Sequence, residues 1–361
     1  MAKKFRTDDE LKKLVVSPKD TLRNAIKKLD NAHYGIILIA ENNSLKGILT
    51  DSDIRKLILR GQDLENEVIS VSNTSPVVHL FSDDTMEYKR LMVEKGLLQL
   101  PIVDTHNSIF DLVVESDFLR KGEPSETKKK LNSKVVIMAG GKGTRLEPFT
   151  KILPKPLIPV GDKTILEWIM DEFALYGIDT FHFSVNHKSE MIKAYFSELK
   201  NKYKIHYVME DSPLGTAGSL RLLNDDFKED FFVTNCDIII KDRYDKIWDY
   251  HKEGHFDITI VASLQHHTVP YGVCELNGDG HLNKINEKPE YDFLINTGMY
   301  ILKPEVLKII PENQFYHITN LIEDAQKIGK KIGVFPIPEG AWIDVGQWGE
   351  YKNAVAKLSI Y

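Results

Sequence analysis

Cysteine is nearly absent from this chain: its 361 residues hold two, Cys236 and Cys274. No disulfide framework follows, and a reducing cytoplasm is the expected location. Free cysteine is usually a small buried hydrophobe, so neither thiol is given a role. Long apolar runs are missing as well. None approaches the ~20 residues of a membrane span, so no membrane association is expected. The opening stretch, MAKKFRTDDELKK, lacks the apolar core of a secretory signal. There is no basic excess either. The formal net charge is −6, whereas a nucleic-acid partner would call for a basic domain. The composition that remains is globular, and the length exceeds what one core usually organises, so two domains are expected.

The most informative segment is KVVIMAGGKGTRLEPFTKILPKPLIPVG, residues 134 to 161. The β-prone run Val135-Val136-Ile137-Met138 meets Ala139-Gly140-Gly141-Lys142-Gly143-Thr144-Arg145. Glycine lets the backbone take φ > 0 and come close to a ligand. Successive N–H groups at such a turn make a concavity for anions. Lys142 and Arg145 add positive charge, and Lys155 follows between Pro154 and Pro156. These features read as a triphosphate cradle. The spacing fits neither G-x-x-x-x-G-K-[ST] nor G-x-G-x-x-G. It fits G-x-G-T-R-L-x-P-x-T followed by P-K-P, and that string resembles the sugar-1-phosphate nucleotidylyltransferase family. A bare tight turn between strand and helix would need neither Arg145, nor Lys155, nor the flanking prolines.

Residues 134 to 361 alternate strand and helix patterns. KVVIM precedes TILEWIMDEFALYG; FHFSV precedes EMIKAYFSELKN; KIHYVME and DFFVTNCDIII follow. This alternation predicts an α/β fold with a doubly wound, mostly parallel sheet, its ligands beyond the carboxyl ends of the strands. Asp237 ends one such apolar run, and a carboxylate at a strand tip suits Mg²⁺. Asp344 lies far along the chain in Trp342-Ile343-Asp344-Val345-Gly346. Each aspartate alone could be a loop or turn residue. The resemblance implies that both hold the metal, with Arg145, Lys155 and Asp237 catalytic. It places Ala139, Gly140, Gly141, Gly143, Thr144 and Arg145 on the nucleotide. It sets the segment from Glu210 through Gly215, Thr216 and Ala217 against the base. The LGTAG form is similar to the guanylyl and mannose-type branch, which points to GTP. Sugar contacts are implied for Tyr271, Gly272, Glu287, Lys288, Asn296 and Thr297. His187, His266 and His267 read as ordinary loop histidines.

Upstream lies an internal repeat. Residues 19 to 57 read as helix, strand, turn, strand and helix start, with Thr21 as a helix cap. Residues 83 to 119 repeat that order, and Asp53 and Asp117 hold equivalent places, 64 residues apart (53 to 117). The unit resembles the cystathionine-β-synthase (CBS) domain, so two copies imply an α+β Bateman pair. The family's G-h-x-T-x-x-D pattern, which sets a threonine and an aspartate on a nucleotide ribose, stands as Gly47, Thr50 and Asp53. The second copy has Asp111, Val114 and Asp117 in those positions. One competent cleft, with Thr50 and Asp53 on the ligand, is therefore expected, although both residues also suit plain helix capping.

The expected organisation is a regulatory CBS pair over 1–122, a polar joint over 123–133 and a nucleotidyltransferase domain over 134–361. The chain ends about 15 residues after Asp344 without hexapeptide repeats, so no second acyltransferase domain is expected. A CBS pair ahead of a compact transferase is similar to the glucosamine-1-phosphate guanylyltransferases of bacterial legionaminic acid synthesis. That implies GTP and glucosamine 1-phosphate as substrates, Mg²⁺ as cofactor, a regulatory nucleotide at the CBS pair and a homodimer. Mannose-1-phosphate guanylyl transfer is the runner-up, and a nucleotide-sensing regulator without catalysis is the reading from a different class.

Overall fold

The computed structural model describes residues 4–32, 34–118, 128–198, 203–223 and 227–358. The chain divides into two compact units, Met1–Lys128 and Lys129–Tyr361. Residues 119–127, which include Leu119 and the start of the expected joint, lie outside the described residues, as do Leu199–Asn201 of the helix expected after FHFSV.

In the first unit, α1 (Asp8–Leu14) leads into β1 (Val15–Val16), then α2 (Leu22–Ala32), β2 (Ile36–Glu41), β3 (Ser44–Thr50) and α3 (Asp51–Leu59). The Thr21 hydroxyl accepts from Asn24 N (3.2 Å), the expected cap. The second half repeats the plan with β4 (His79–Leu80), α4 (Thr85–Lys95), β5 (Gln99–Val103) and β6 (Ile109–Val114). Each half makes a three-stranded sheet of the same order, β1-β2-β3 and β4-β5-β6. In each, the first pair is parallel and the second antiparallel. The hairpin turns clasp each other reciprocally. Asn43 O accepts from Ile109 N, Asn107 O accepts from Leu45 N, both at 2.9 Å, and each asparagine amide donates to the other hairpin. Both asparagines have positive φ, which asparagine tolerates because its short amide bonds locally. Ile36, Leu38, Val103, Leu112 and Val114 then share one core beneath the two sheets.

The second unit starts before the motif. Residues 129–133, expected within a solvated joint, are anchored here instead: Leu131 is buried and its N–H donates to Tyr176 O (2.9 Å), while exposed Lys129 pairs with Asp249. A leucine beside a tyrosine carbonyl gives the segment an anchor that its polar composition hides. The elements that follow are β7 (Val135–Met138), α5 (Phe149–Ile152), the ribbon of β8 (Pro159–Val160) and β9 (Lys163–Thr164), α6 (Ile165–Ala174), β10 (Thr180–Val185) and α7 (Ser189–Glu198). Then come β11 (Lys204–Met209), β12 (Phe231–Asn235), β13 (Ile238–Ile240), α8 (Tyr244–Glu253), β14 (Ile258–Thr268), the hairpin of β15 (Val273–Leu276) and β16 (Leu282–Asn286), and β17 (Glu290–Leu302). α9 (Ile318–Lys327), β18 (Ile332–Ile337), β19 (Trp342–Asp344) and α10 (Trp348–Leu358) complete the unit.

The main sheet runs β11-β10-β7-β12-β17-β14-β18. Every pairing in it is parallel except the two made by β17. Successive side chains of a strand face opposite ways, and β7 shows the consequence. Val135 and Ile137 pack with α6, α7, α8 and α10 residues such as Ile169, Phe196, Ile247 and Leu358. Val136 packs on the other face with Val306, Ile318 and Leu321. Both faces are covered, the doubly wound arrangement that the alternation predicts. β7 is central, so the glycine turn opens at the carboxyl edge of the sheet.

Candidate active site

The turn remains tied to the sheet at its start, where buried Ala139 donates from N to Ser184 O (2.8 Å). Gly140 faces Glu210: a Cβ there would lie 2.8 Å from Glu210 Oε1. Glu210 is itself buried and doubly held, accepting from the Ser184 hydroxyl and from Leu214 N. Its carboxylate thus braces the turn from below. Gly143 has φ 69°, and a Cβ would meet Lys155 Cβ and Thr150 Cγ2, both at 2.9 Å. Only glycine lets the turn lie against the lysine stem. Thr150 locks the contact by donating from Oγ1 to Gly143 O (3.0 Å). Gly141, Lys142, Thr144 and Arg145 are exposed on the lip of the turn.

Lys155 is 8% exposed, stiffened by Pro154 and Pro156, and its ammonium is paired with Asp237 Oδ2. Asp237 follows β12, and the next strand, β13, pairs antiparallel with β19 in the register Ile238↔Asp344. Val345 N donates to Asp237 O (2.8 Å). That ribbon is what brings two sequence-distant aspartates together. A Cβ on Gly346 would lie 2.8 Å from Asp237 Oδ2, 2.8 Å from Asp344 Oδ1 and 3.5 Å from Lys155 Nζ. The two carboxylate oxygens therefore flank one point. Burial pushes the Asp344 carboxyl above the usual carboxylate range; the Gly346 N–H pulls it back, Asp237 pushes it further up, and the charges of Lys155 and Arg145 oppose that. The Cys236 thiol next door is driven up to about 12 by burial and by Asp237. It stays protonated and inert at neutral pH.

Among the described residues no cluster of three or more histidine, cysteine or acidic side chains could enclose a metal. Two convergent carboxylates are nevertheless the donor set Mg²⁺ accepts when phosphates complete its shell. The pair fits that ion and not a closed all-protein cage.

The base-side segment has a second employment. Gly215 has φ 81°, and a Cβ would stand 2.7 Å from Tyr316 O. Ala217 N and Gly218 N both donate to Tyr316 O. The Thr216 hydroxyl accepts from Ile318 N (3.0 Å), at the start of α9. Ala217 is fully buried in the core on that face. Thr216 and Ala217, expected against the base, therefore spend their hydroxyl and methyl on docking residues 314–318. Thr297 is a comparable case. The β14–β17 register shifts between Val261 and Ala262, and the buried Thr297 hydroxyl donates to Val261 O within that bulge (2.8 Å). Gly298, at φ 91°, admits Asn235 against its Cα. Asn296 stays exposed beside the bulge and bonds to Tyr300 and Gly298 N. Tyr271 (75% exposed), Glu287 and Lys288 sit on the outer arm built by β14 to β17, and Glu287 faces Gly272.

Three residues carry no signal in the sequence: Gly346, Lys188 and Arg6, each of which acts through long-range contacts. Glu210, which the resemblance sets against the base, lies beneath Gly140 of the turn.

In the first unit, Thr50 and Asp53 form a capping box at the start of α3. Thr50 N and Oγ1 donate to Asp53 Oδ2 at 3.1 and 2.7 Å, and Asp53 N donates to Thr50 Oγ1. The capping reading is thus realised in the geometry. Gly47 is closely approached: Asn73 O and Ser72 Oγ cross 3.0 Å from where a Cβ would sit. In the second repeat the crossing segment is Phe5–Arg6, and Asp111 receives their N–H groups (2.6 and 3.1 Å). Asp117 is bound by both terminal nitrogens of Arg6 (2.9 and 3.1 Å). The departures from the pattern are therefore the means by which the chain's own arginine occupies that aspartate.

A nucleotidyl transferase family model matches residues 134–359 and a CBS domain model matches residues 10–60. The mannose-1-phosphate guanyltransferase of Saccharomyces cerevisiae is 33% identical over 247 residues, covering 62% of this chain and 66% of that protein. The bifunctional protein GlmU of Methanococcus maripaludis is 32% identical over 220 residues, covering 58% of this chain and 51% of that protein. This chain thus spans between about half and two thirds of the length of these relatives. Among solved structures, HddC from Yersinia pseudotuberculosis complexed with GMP-PN is 25% identical with a TM-score of 0.49, covering 63% of this chain and 99% of that one. With its glycine turn, its sheet and a matching region that takes in most of its length, the chain belongs to the nucleotidyl transferase family and carries a CBS domain ahead of the transferase region.

Proposed function

We propose that the protein transfers a guanylyl group from GTP to a sugar 1-phosphate, glucosamine 1-phosphate first, and releases pyrophosphate. The observation that carries this reading is the convergence of Lys155, Asp237 and Asp344 on Gly346, with Lys155 packed against the turn at Gly143. The sugar-phosphate oxygen attacks the α-phosphorus in line; an O–P bond forms as the bond to the pyrophosphate oxygen breaks. No protein nucleophile is needed, because phosphoryl chemistry is governed by positioning and charge. The N–H groups of the turn receive phosphate oxygens. Arg145, on the exposed lip, holds the β- and γ-phosphates as a planar donor. Lys155 shares its ammonium between Asp237 and the charge developing at the α-phosphate. Asp237 and Asp344 are the residues that would hold Mg²⁺, which neutralises phosphate charge when bound. Tyr271, Gly272, Glu287, Lys288 and Asn296 are assigned to the acceptor sugar.

Mannose 1-phosphate is the second acceptor, favoured by the yeast relative's name. Pyrophosphate release with GTP, UTP, CTP and dTTP against both sugar phosphates tests the reading. GTP with glucosamine 1-phosphate is expected to be fastest. A faster reaction with mannose 1-phosphate would replace the acceptor, and no release with any pair would leave the nucleotide-sensing regulator. Residues 1–122 are assigned regulation through a nucleotide at Thr50 and Asp53, in a cytoplasmic homodimer. Turnover of the wild type should then respond to adenine nucleotides, and that response should vanish in Asp53→Asn.

A further inference from the structure

Lys188 lies in the loop after β10 and holds a left-handed backbone, φ 55°. Its ammonium reaches across to α5 and donates to three carbonyls there: Thr150 O (2.9 Å), Lys151 O (2.7 Å) and Ile152 O (2.9 Å). An ammonium has three donors, and here all three are used. The acceptors are the carbonyls that a helix leaves unpaired at its carboxyl end, where positive charge is also favoured.

The other anchors of this helix lie toward its start, where Phe149 packs on Trp348 (4.8 Å) and Tyr351 (6.3 Å) and Thr150 is buried. Four residues are too few to be stable alone. Ile152, at the carboxyl end, is 74% exposed, so packing contributes little there and the Lys188 ammonium meets the end carbonyls. Yet α5 joins both halves of the cradle. Thr150 Oγ1 fixes Gly143 on one side, and three residues beyond Ile152 comes Lys155, paired with Asp237. A shift of α5 would move the turn and the lysine together.

We propose that Lys188 is a positioning residue for nucleotidyl transfer: it clamps α5 and thereby sets Lys155 and the Gly143 turn in register with Asp237. The inference rests on the transferase reading above. Lys188→Met keeps the stem and removes the donors, while Lys188→Arg keeps charge but offers a planar fork that cannot meet three carbonyls around one point. Both variants should lower kcat by about 10- to 100-fold, the scale on which ångström misplacements act, with KM moved less than about threefold. A purely structural role would shift the melting temperature and leave kcat of the folded fraction unchanged. Hydrogen exchange supplies a readout independent of catalysis: amides over residues 149–157 should exchange faster in Lys188→Met than in the wild type. Unchanged exchange there, or faster exchange with normal kcat, overturns the assignment. A wild type that releases no pyrophosphate sinks the transferase reading instead, and exchange still decides whether Lys188 clamps the segment.

Discussion

Gly346 shows how much one missing methyl group can matter. Its Cα faces two carboxylate oxygens and an ammonium, and a Cβ would stand 2.8 Å from each carboxylate and 3.5 Å from Lys155 Nζ. Real Cβ atoms do not approach oxygen so closely, so Gly346→Ala must push Asp237 and Asp344 aside. The two aspartates cannot retreat far: Gly346 N donates to Asp344 Oδ1, and Asp237 holds buried Lys155. We expect Gly346→Ala to lose about 100-fold or more in kcat while circular dichroism and melting stay close to wild type. Normal turnover in a folded Gly346→Ala protein would contradict the placement of the reacting phosphates at this point. Alanine at Asp237 itself is the poorer test, because it strands a buried ammonium and adds a stability loss to the kinetic one.

At the scale of elements, the first unit holds an unequal pair of equals. The two repeats share strand order, hairpin turns and an aspartate in the same place. Asp53 bonds within its own helix cap, whereas Asp117 also accepts both terminal nitrogens of Arg6, whose guanidinium lies over the Tyr34 ring at 4.5 Å. Side-chain exposures of 7% and 14% make this a buried pair. Removing one partner of such a pair typically costs about 3–5 kcal/mol, because the other charge is left without compensation. A lost cap costs nearer 1 kcal/mol. Arg6→Ala should therefore lower the unit's unfolding free energy several times more than Asp53→Ala does, measured by denaturant unfolding of the full chain. Equal losses would mean that Arg6 merely rests against the second repeat.

For the whole molecule, the sequence disclosed the pieces that have local signatures. The strand before the glycine turn, the α/β alternation and the 64-residue repeat all depend on neighbours in the chain. The resemblance implies the meeting of Asp237 with Asp344, but the β13–β19 ribbon that makes it has no signature in two short strands. The docking of Thr216 on α9 and the clamp made by Lys188 are likewise long-range hydrogen bonds, invisible to periodicity. The same holds for Asp230, which opens β12 at the end of the sheet away from the turn. Lys252 Nζ (2.5 Å) and His251 Nε2 (3.3 Å), both from α8, reach its Oδ2, and His251 Nδ1 meets the Thr259 hydroxyl of β14 (2.7 Å). Asp230 and His251 together thus tie a helix to two strands. Burial alone would raise its pKa, but the hydrogen bonds and charges of His251 and Lys252 outweigh burial and hold the carboxyl below its ordinary 3.8. A group depressed in the folded state stabilises it above the unfolded value, and that contribution fades as pH falls through the folded value. Asp230→Asn should therefore cost about 1–3 kcal/mol near pH 7, the usual worth of charged hydrogen bonds. Its denaturant curve should converge on the wild-type curve as pH falls below the ordinary 3.8 and on through the lower folded value, where the native carboxyl takes up a proton. A gap between the two proteins that stays constant down to the acid limit would show that packing, not the charge, is what Asp230 contributes.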